Sequence, residues 1–193
     1  MSDVKNVLIV GVGGQGTILA SRVLSGVVQA AGYDVKVSEI HGMSQRGGSV
    51  VTQVRFGDKV HSPIIPAGQA DLILAFELLE ALRHQPALKA SGKIIVNTQK
   101  VMPMPVVIGA TEYPADALEQ LEAKSDVVAL DALEVAMKCN NPKAVNVVLL
   151  GVLSAQMDID EQIWLDVLKE KVPPKFLEAN LAAFAEGRKA AMK

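Results

Sequence analysis

Two short runs of the chain carry residue types that could bind or orient a ligand. In Gly11-Val-Gly-Gly-Gln-Gly16 the glycines follow a G-x-G-x-x-G spacing, with Gly13, Gly14 and Gln15 inside it. Between a strand and a helix, such glycines permit a tight turn and close backbone approach, and the helix start offers free N–H groups to an anion. The second run, His41-Gly-Met-Ser-Gln-Arg-Gly-Gly48, gathers a histidine, a hydroxyl, an amide and a guanidinium. Arg46 is a planar double donor suited to a carboxylate or phosphate. Ser44 and Gln45 can orient a carbonyl or amide, and Gly47 and Gly48 leave room for a ligand or another chain. The case for His41 is weaker, because an isolated histidine is more often a structural hydrogen-bonder. Glu39 stands where the second strand ends, the place of a ribose-binding carboxylate in a dinucleotide fold.

Each feature has a plainer reading. Tight packing of a helix on a strand also requires glycines, Glu39 is equally a strand-end charge, and Arg46 equally a partner in a surface ion pair. No catalytic set of a dehydrogenase follows the glycine run. Asn97 and Lys100 are polar, but loop exposure accounts for them as well.

The elements that must hold these runs are legible in the hydrophobic pattern. Asn6 to Val10 is a short apolar stretch of the kind buried on both faces of a sheet. Thr17 to Ala31 repeats apolar residues at helical spacing, and Gly32 closes it. Tyr33 to Glu39 alternates as a second strand, completing a βαβ unit. Val50 to Phe56 alternates too, and Gly57-Asp58 followed by Lys59 to His61 suggests a hairpin return. Asp71 to Phe76, Gly92 to Asn97 and Val127 to Leu130 are further strands. Glu77 to Leu88, broken near Pro86, and Tyr113 to Ala123 are expected helices. Beyond Asp131 the chain is mostly helical, with Ala144 to Met157 apolar nearly all round and therefore buried. The expected fold is α/β: a single domain over 1–193, with a doubly wound, mainly parallel Rossmann-like sheet, a β-hairpin and a helical C-terminal region.

Composition removes several function classes. The 193 residues are 50% hydrophobic and 21% charged, enough for a core and no case for disorder. Nineteen Lys and Arg against 21 Asp and Glu leave a net charge of −2, with no drive toward nucleic acid or an anionic membrane. Cys139 is the sole cysteine, so the chain can form no internal disulfide and cannot hold an iron–sulfur cluster, which needs about four thiolates. The three histidines show no metal-ligand spacing. Asp3 and Lys5 precede an apolar run too short for a signal peptide, and Ala144 to Ala155 is too short to span a bilayer; a cytoplasmic protein is expected. Cys139 reads as a small apolar packing residue, Trp164 as a helix-packing anchor, and Met43, Met102 and Met104 as gap fillers or interface residues.

Taken together, Val-Gly-Gly-Gln-Gly16 after the first strand and Glu39-Ile-His-Gly-Met-Ser-Gln-Arg-Gly-Gly-Ser49 after the second resemble the gamma-type subunit of 2-oxoacid:ferredoxin oxidoreductases. Within that family the run His41 to Gly48 is most similar to the beta subunit of the indolepyruvate ferredoxin oxidoreductase branch, and the likeness covers essentially the whole chain. The resemblance implies oxidative decarboxylation of an arylpyruvate, with coenzyme A as acyl acceptor and ferredoxin as electron acceptor. It implies that the partner alpha subunit of the indolepyruvate ferredoxin oxidoreductase holds thiamine diphosphate and the iron–sulfur clusters. This chain has no thiamine-binding Gly-Asp-Gly followed by paired asparagines; Asn140-Asn141 lacks the preceding half. It would then bind no cofactor alone and would complete a shared site through Gly11 to Gly16 and Ser44 to Gly48. A stand-alone NAD(P)-binding dehydrogenase and a non-catalytic assembly subunit remain the alternatives at this point.

Overall fold

Short stretches that carry a continuous apolar run, as in Lys5–Val12 and Ala70–Ala75, or that alternate apolar with polar residues, as in Asp34–His41 and Ser49–Gly57, become the strands of one sheet. In the computed structural model, which describes residues 4–42 and 47–191, these are β1 (Lys5–Val12), β2 (Asp34–His41), β3 (Ser49–Gly57), β4 (Ala70–Ala75), β5 (Leu88–Asn97) and β6 (Asp126–Leu130). Their order is β2-β3-β1-β4-β5-β6. The strands β1, β4, β5 and β6 run parallel, and β3 is antiparallel to both of its neighbours. Among the described residues the α-helices, interleaved with and following the strands, are α1 (Thr17–Ala30), α2 (Leu78–His84), α3 (Met104–Val107), α4 (Ala117–Glu122), α5 (Ala132–Lys138), α6 (Val145–Ala155), α7 (Glu161–Lys171) and α8 (Leu177–Ala190).

Side chains alternate across a strand, so each central strand feeds two cores. Val7 and Ile9 of β1, Leu74 of β4 and Ile95 of β5 pack with α1, α5, α6, α7 and α8. Leu8 and Val10, Ile73 and Ala75, and Ile94 and Val96 pack with α2 and α4 on the opposite face. This is the doubly wound arrangement expected, with the apolar helix α6 buried along its length. Trp164 is fully buried with its ring centroid 6.0 Å from that of Phe184, the packing anchor anticipated. Cys139 is half-buried and packs at the margin of the larger core. Gly32, at φ +90°, ends α1 as expected.

The first three strands differ from the expected βαβ unit. β2 does not lie beside β1; β3 inserts between them, pairing from Lys5↔Phe56 to Val12↔Ser49 on one side and from Asp34↔Gly57 to His41↔Val50 on the other. The hairpin is therefore β2–β3. With both flanks of β3 taken, no edge is left for a strand at Lys59 to His61. That segment is held instead by the Asp34 carboxylate, which accepts the Val60 N–H at 2.8 Å, and by the Arg55 guanidinium, which donates to the carbonyls of Ser62 and Ile64. The expected helix from Tyr113 shortens to α4.

Candidate functional site

Parallel strands place the ends of β1, β4, β5 and β6 on one edge of the sheet, and the antiparallel β2–β3 pair brings the end of β2 and the start of β3 to the same edge. Ligands in open α/β sheets sit at this edge. The two runs singled out in the sequence therefore meet. The Gly13 N–H donates to the Gly48 carbonyl at 2.8 Å, joining one loop to the other.

The glycines of the first run divide by role. A Cβ on Gly11 would lie 2.9 Å from the Phe76 Cβ and 3.0 Å from the Thr17 Cγ2, so Gly11 serves close packing of β1, β4 and α1. Gly16, at φ +86°, begins α1, and a Cβ there would lie 2.8 Å from the Asn146 Nδ2. Gly14, at φ +100°, has open space where a Cβ would stand. Gln15 is spent internally: its Oε1 accepts the Val12 N–H at 2.8 Å and its Nε2 donates to the Phe76 carbonyl at 3.1 Å, bracing the loop on β4.

A cleft of about 430 Å³ opens between the loops, lined by Gly13, Gly14, Gly16, Thr17, Ile18, His41 and Val50. His41 ends β2 and is exposed; its Nδ1 lies 3.2 Å from the Gly42 carbonyl. Gly47 lies at φ +76°, a backbone conformation that favours glycine. Ser44, Gln45 and Arg46 lie outside the described residues. Glu39 is not brought to the cleft. Its carboxylate accepts the Ser21 hydroxyl at 3.0 Å in a separate groove along α1. In a dinucleotide fold the ribose carboxylate ends the strand next to β1; here β3 holds that place.

The same edge holds Glu77, Glu80 and Tyr113, to which the sequence assigned no site role, together with Asn97 and Lys100, which it set down to loop exposure. Glu77, buried, caps α2: its carboxylate accepts the Glu80 N–H at 2.9 Å, the Val101 N–H at 3.0 Å and the Tyr113 hydroxyl at 2.7 Å. Burial first, and the carboxylate beside it second, raise the Tyr113 phenol above its ordinary range. Glu80, also buried, accepts from the Ser49 hydroxyl at 2.5 Å and from Arg83 at 2.7 Å. Burial holds the His84 imidazole below its usual value even though Glu80 lies 3.9 Å away. Asn97 is buried rather than loop-exposed; it donates to the Phe76 carbonyl and accepts the Ala132 N–H at 3.1 Å, tying β4, β5 and α5. The Lys100 ammonium stands 5.5 Å from the Tyr113 ring centroid. The one available signal was chemical: two glutamates three residues apart, directly after a buried strand, match a helix N-terminus. Met102 and Met104 are exposed, Met104 by 68%, and so fill no gap in the core. Among the described residues no three His, Cys, Asp or Glu side chains converge as a metal site would need, and no helix is long and apolar enough to cross a membrane.

Comparison with known proteins gives a consistent result. The family model of pyruvate ferredoxin/flavodoxin oxidoreductase matches residues 6–190. The indolepyruvate oxidoreductase subunit IorB of Thermococcus kodakarensis is 41% identical over 192 residues, covering 96% of this chain and 95% of the relative. The fold is that of the gamma subunit of a keto/oxoacid ferredoxin oxidoreductase from Geobacter sulfurreducens, with TM-score 0.73, 22% identity, and coverage of 97% of this chain and 98% of the other. It also recurs in the 2-oxoglutarate:ferredoxin oxidoreductase of Magnetococcus marinus, solved with 2-oxoglutarate, coenzyme A and succinyl-CoA bound, with TM-score 0.78, 20% identity, and coverage of 100% of this chain and 32% of that longer one. With its family model matched over nearly the whole length and its sheet shared with solved members, the chain thus belongs to the pyruvate ferredoxin/flavodoxin oxidoreductase family.

Proposed function

We propose that the chain is the subunit without clusters of a cytoplasmic, ferredoxin-dependent 2-oxoacid oxidoreductase acting on arylpyruvates such as indolepyruvate, and that it completes the site where the acyl group passes to coenzyme A. The observation that carries this reading is the cleft formed where the two loops join through Gly13 and Gly48, at the strand-end edge of a chain with one thiol. Thiamine diphosphate and the iron–sulfur clusters belong, on this reading, to the partner alpha subunit, which passes electrons to ferredoxin. With the Gly13 N–H held by the Gly48 carbonyl, Gly14 and the start of α1 present backbone N–H groups to an anion, either a phosphate of coenzyme A or the carboxylate of the 2-oxoacid. Arg46, with Ser44 and Gln45 beside it, supplies the charged fork from the facing loop, with Gly47 and Gly48 as its hinge and His41 on the same wall.

The pure chain is expected to be colourless, free of stoichiometric iron and without activity toward an arylpyruvate, coenzyme A and a low-potential dye, and to gain turnover only with its partner. Absorbance, metal analysis and the coupled assay check this; turnover by the chain alone overturns it. The competing nicotinamide dehydrogenase meets a specific obstacle in Glu39, whose carboxylate is engaged by Ser21 away from the cleft. NAD at a hundred times a true dissociation constant would add about 2.7 kcal/mol of stability. Millimolar NAD or NADP is therefore expected to leave the melting temperature unchanged, and a clear upward shift would favour the dehydrogenase.

A further inference from the structure

Glu80 is a buried carboxylate to which the proposed reaction assigns no role. It sits in the first turn of α2, 3% exposed, with one oxygen on Ser49 and the other on Arg83. A carboxylate withdrawn from water is costly unless its lone pairs are satisfied. Its anchoring is firm on the helix side. The Glu80 N–H is held by Glu77, and Glu77 is held by Tyr113 and by the Val101 N–H. Three charged or titratable side chains face the Glu80 carboxylate from its own helix or its cap: Glu77, Arg83 and His84.

What the other end holds is informative. Ser49 is the first residue of β3 and is exposed, so water could serve its hydroxyl equally well. Its neighbour Gly48 offers the carbonyl that accepts the Gly13 N–H. Ser49 also lies opposite Val12 in the β1–β3 ladder. The contacts run in series from α2 through Glu80 to Ser49, then to Gly48 and on to Gly13. They lead to one wall of the cleft and end on the Gly13–Gly48 hydrogen bond that joins the two loops.

We propose that Glu80 is a positioning residue for this cleft: by holding Ser49 it fixes Gly48 against Gly13 and so sets the separation of the two loops. This deepens, and rests on, the reading of the cleft as a ligand site. A merely stabilising contact would lower the melting temperature and leave both the Gly13 amide and substrate affinity alone.

The test uses the assembled complex with Ser49→Ala, Ser49→Thr, Glu80→Gln and Arg83→Ala. Hydrogen exchange of the peptide containing Gly13, followed by mass spectrometry, is expected to speed up about tenfold in Ser49→Ala, the loss of a bond to a charged group. Exchange in the body of α1, where the Ala20 N–H donates to the Gly16 carbonyl, should not change. Apparent KM for coenzyme A or for the arylpyruvate should rise by a similar factor while kcat holds. Ser49→Thr, which keeps the hydroxyl, should restore both, and Glu80→Gln, which keeps an acceptor without charge, should fall between. Arg83→Ala should resemble the parent. Unchanged exchange at Gly13 in Ser49→Ala overturns the proposal, as does an equal effect from Arg83→Ala, which would mark a general loosening of α2. Faster exchange with both KM values unmoved supports the brace and overturns the cleft as the ligand site.

Discussion

Arg46→Ala in the assembled complex is expected to lower kcat/KM by roughly ten- to a hundred-fold, the loss of a charge-assisted contact of ~1.5–3 kcal/mol. The residue lies outside the described residues, and the expectation rests on its neighbours. Gly47 and Gly48 lead from it into the wall of the cleft, and Gly48 touches the glycine turn directly. A guanidinium holds an anion by geometry as well as charge. Arg46→Lys should therefore fall between parent and Ala rather than match the parent. The alternative, a surface ion pair, is worth about 0–1 kcal/mol. Kinetics with the arylpyruvate and coenzyme A varied separately decide which anion is held: a defect confined to one apparent KM names the carboxylate or the phosphate. Melting curves recorded alongside should match the parent. Near-normal kinetics for Arg46→Ala in an intact complex would refute the anion clamp.

The largest effect on stability is expected at Gly151, far from the cleft. A Cβ on Gly151 in α6 would lie 2.1 Å from the Phe184 carbonyl oxygen of α8, and a Cβ on Gly187 would lie 2.1 Å from that of Val148. Each glycine lets one helix backbone rest on the other, and neither obstacle is a flexible side chain that could swing away. Gly151→Ala must therefore push α8 off α6 and disturb the packing of Trp164 on Phe184. The expected cost is about 3 kcal/mol or more, the upper range for overpacking. For a chain of this length that is a fall in melting temperature of about 6–12 °C. Gly14→Ala makes the contrast: it meets no atom within 4 Å, and its strain comes only from a φ of +100°. Thermal denaturation of the two variants side by side checks this, and a Gly151→Ala protein as stable as Gly14→Ala would contradict the close helix contact.

Hydrophobic periodicity is a local property, and what it specifies was legible residue by residue. The apolar stretch ending at Val10, the helix closed by Gly32, the buried helix containing Leu149 and Leu150, and the doubly wound layering all follow from it. Counting was equally decisive, because Cys139 alone bars an iron–sulfur cluster whatever the fold. The family was legible too, in the glycine turn and in the run from His41 to Gly48. Pairing is not local. Nothing in the alternation of Val50 to Phe56 says that it lies between β1 and β2, and that insertion alone removes the Lys59 to His61 strand and takes Glu39 away from the position a dinucleotide site would need. Nor does a residue type disclose its partner. Gln15 reads as a ligand donor until its amide is found spent on Val12 and Phe76, and Asn97 reads as a loop residue until it is found buried among three elements. Glu80 and Ser49, 31 residues apart, became a pair only when the sheet brought α2 beside the start of β3. Gly151 and Gly187 look like defects in two helices, since glycine weakens a helix interior. Tertiary contact reverses that reading, because the energy gained by packing two backbones together exists only where both helices are already in place.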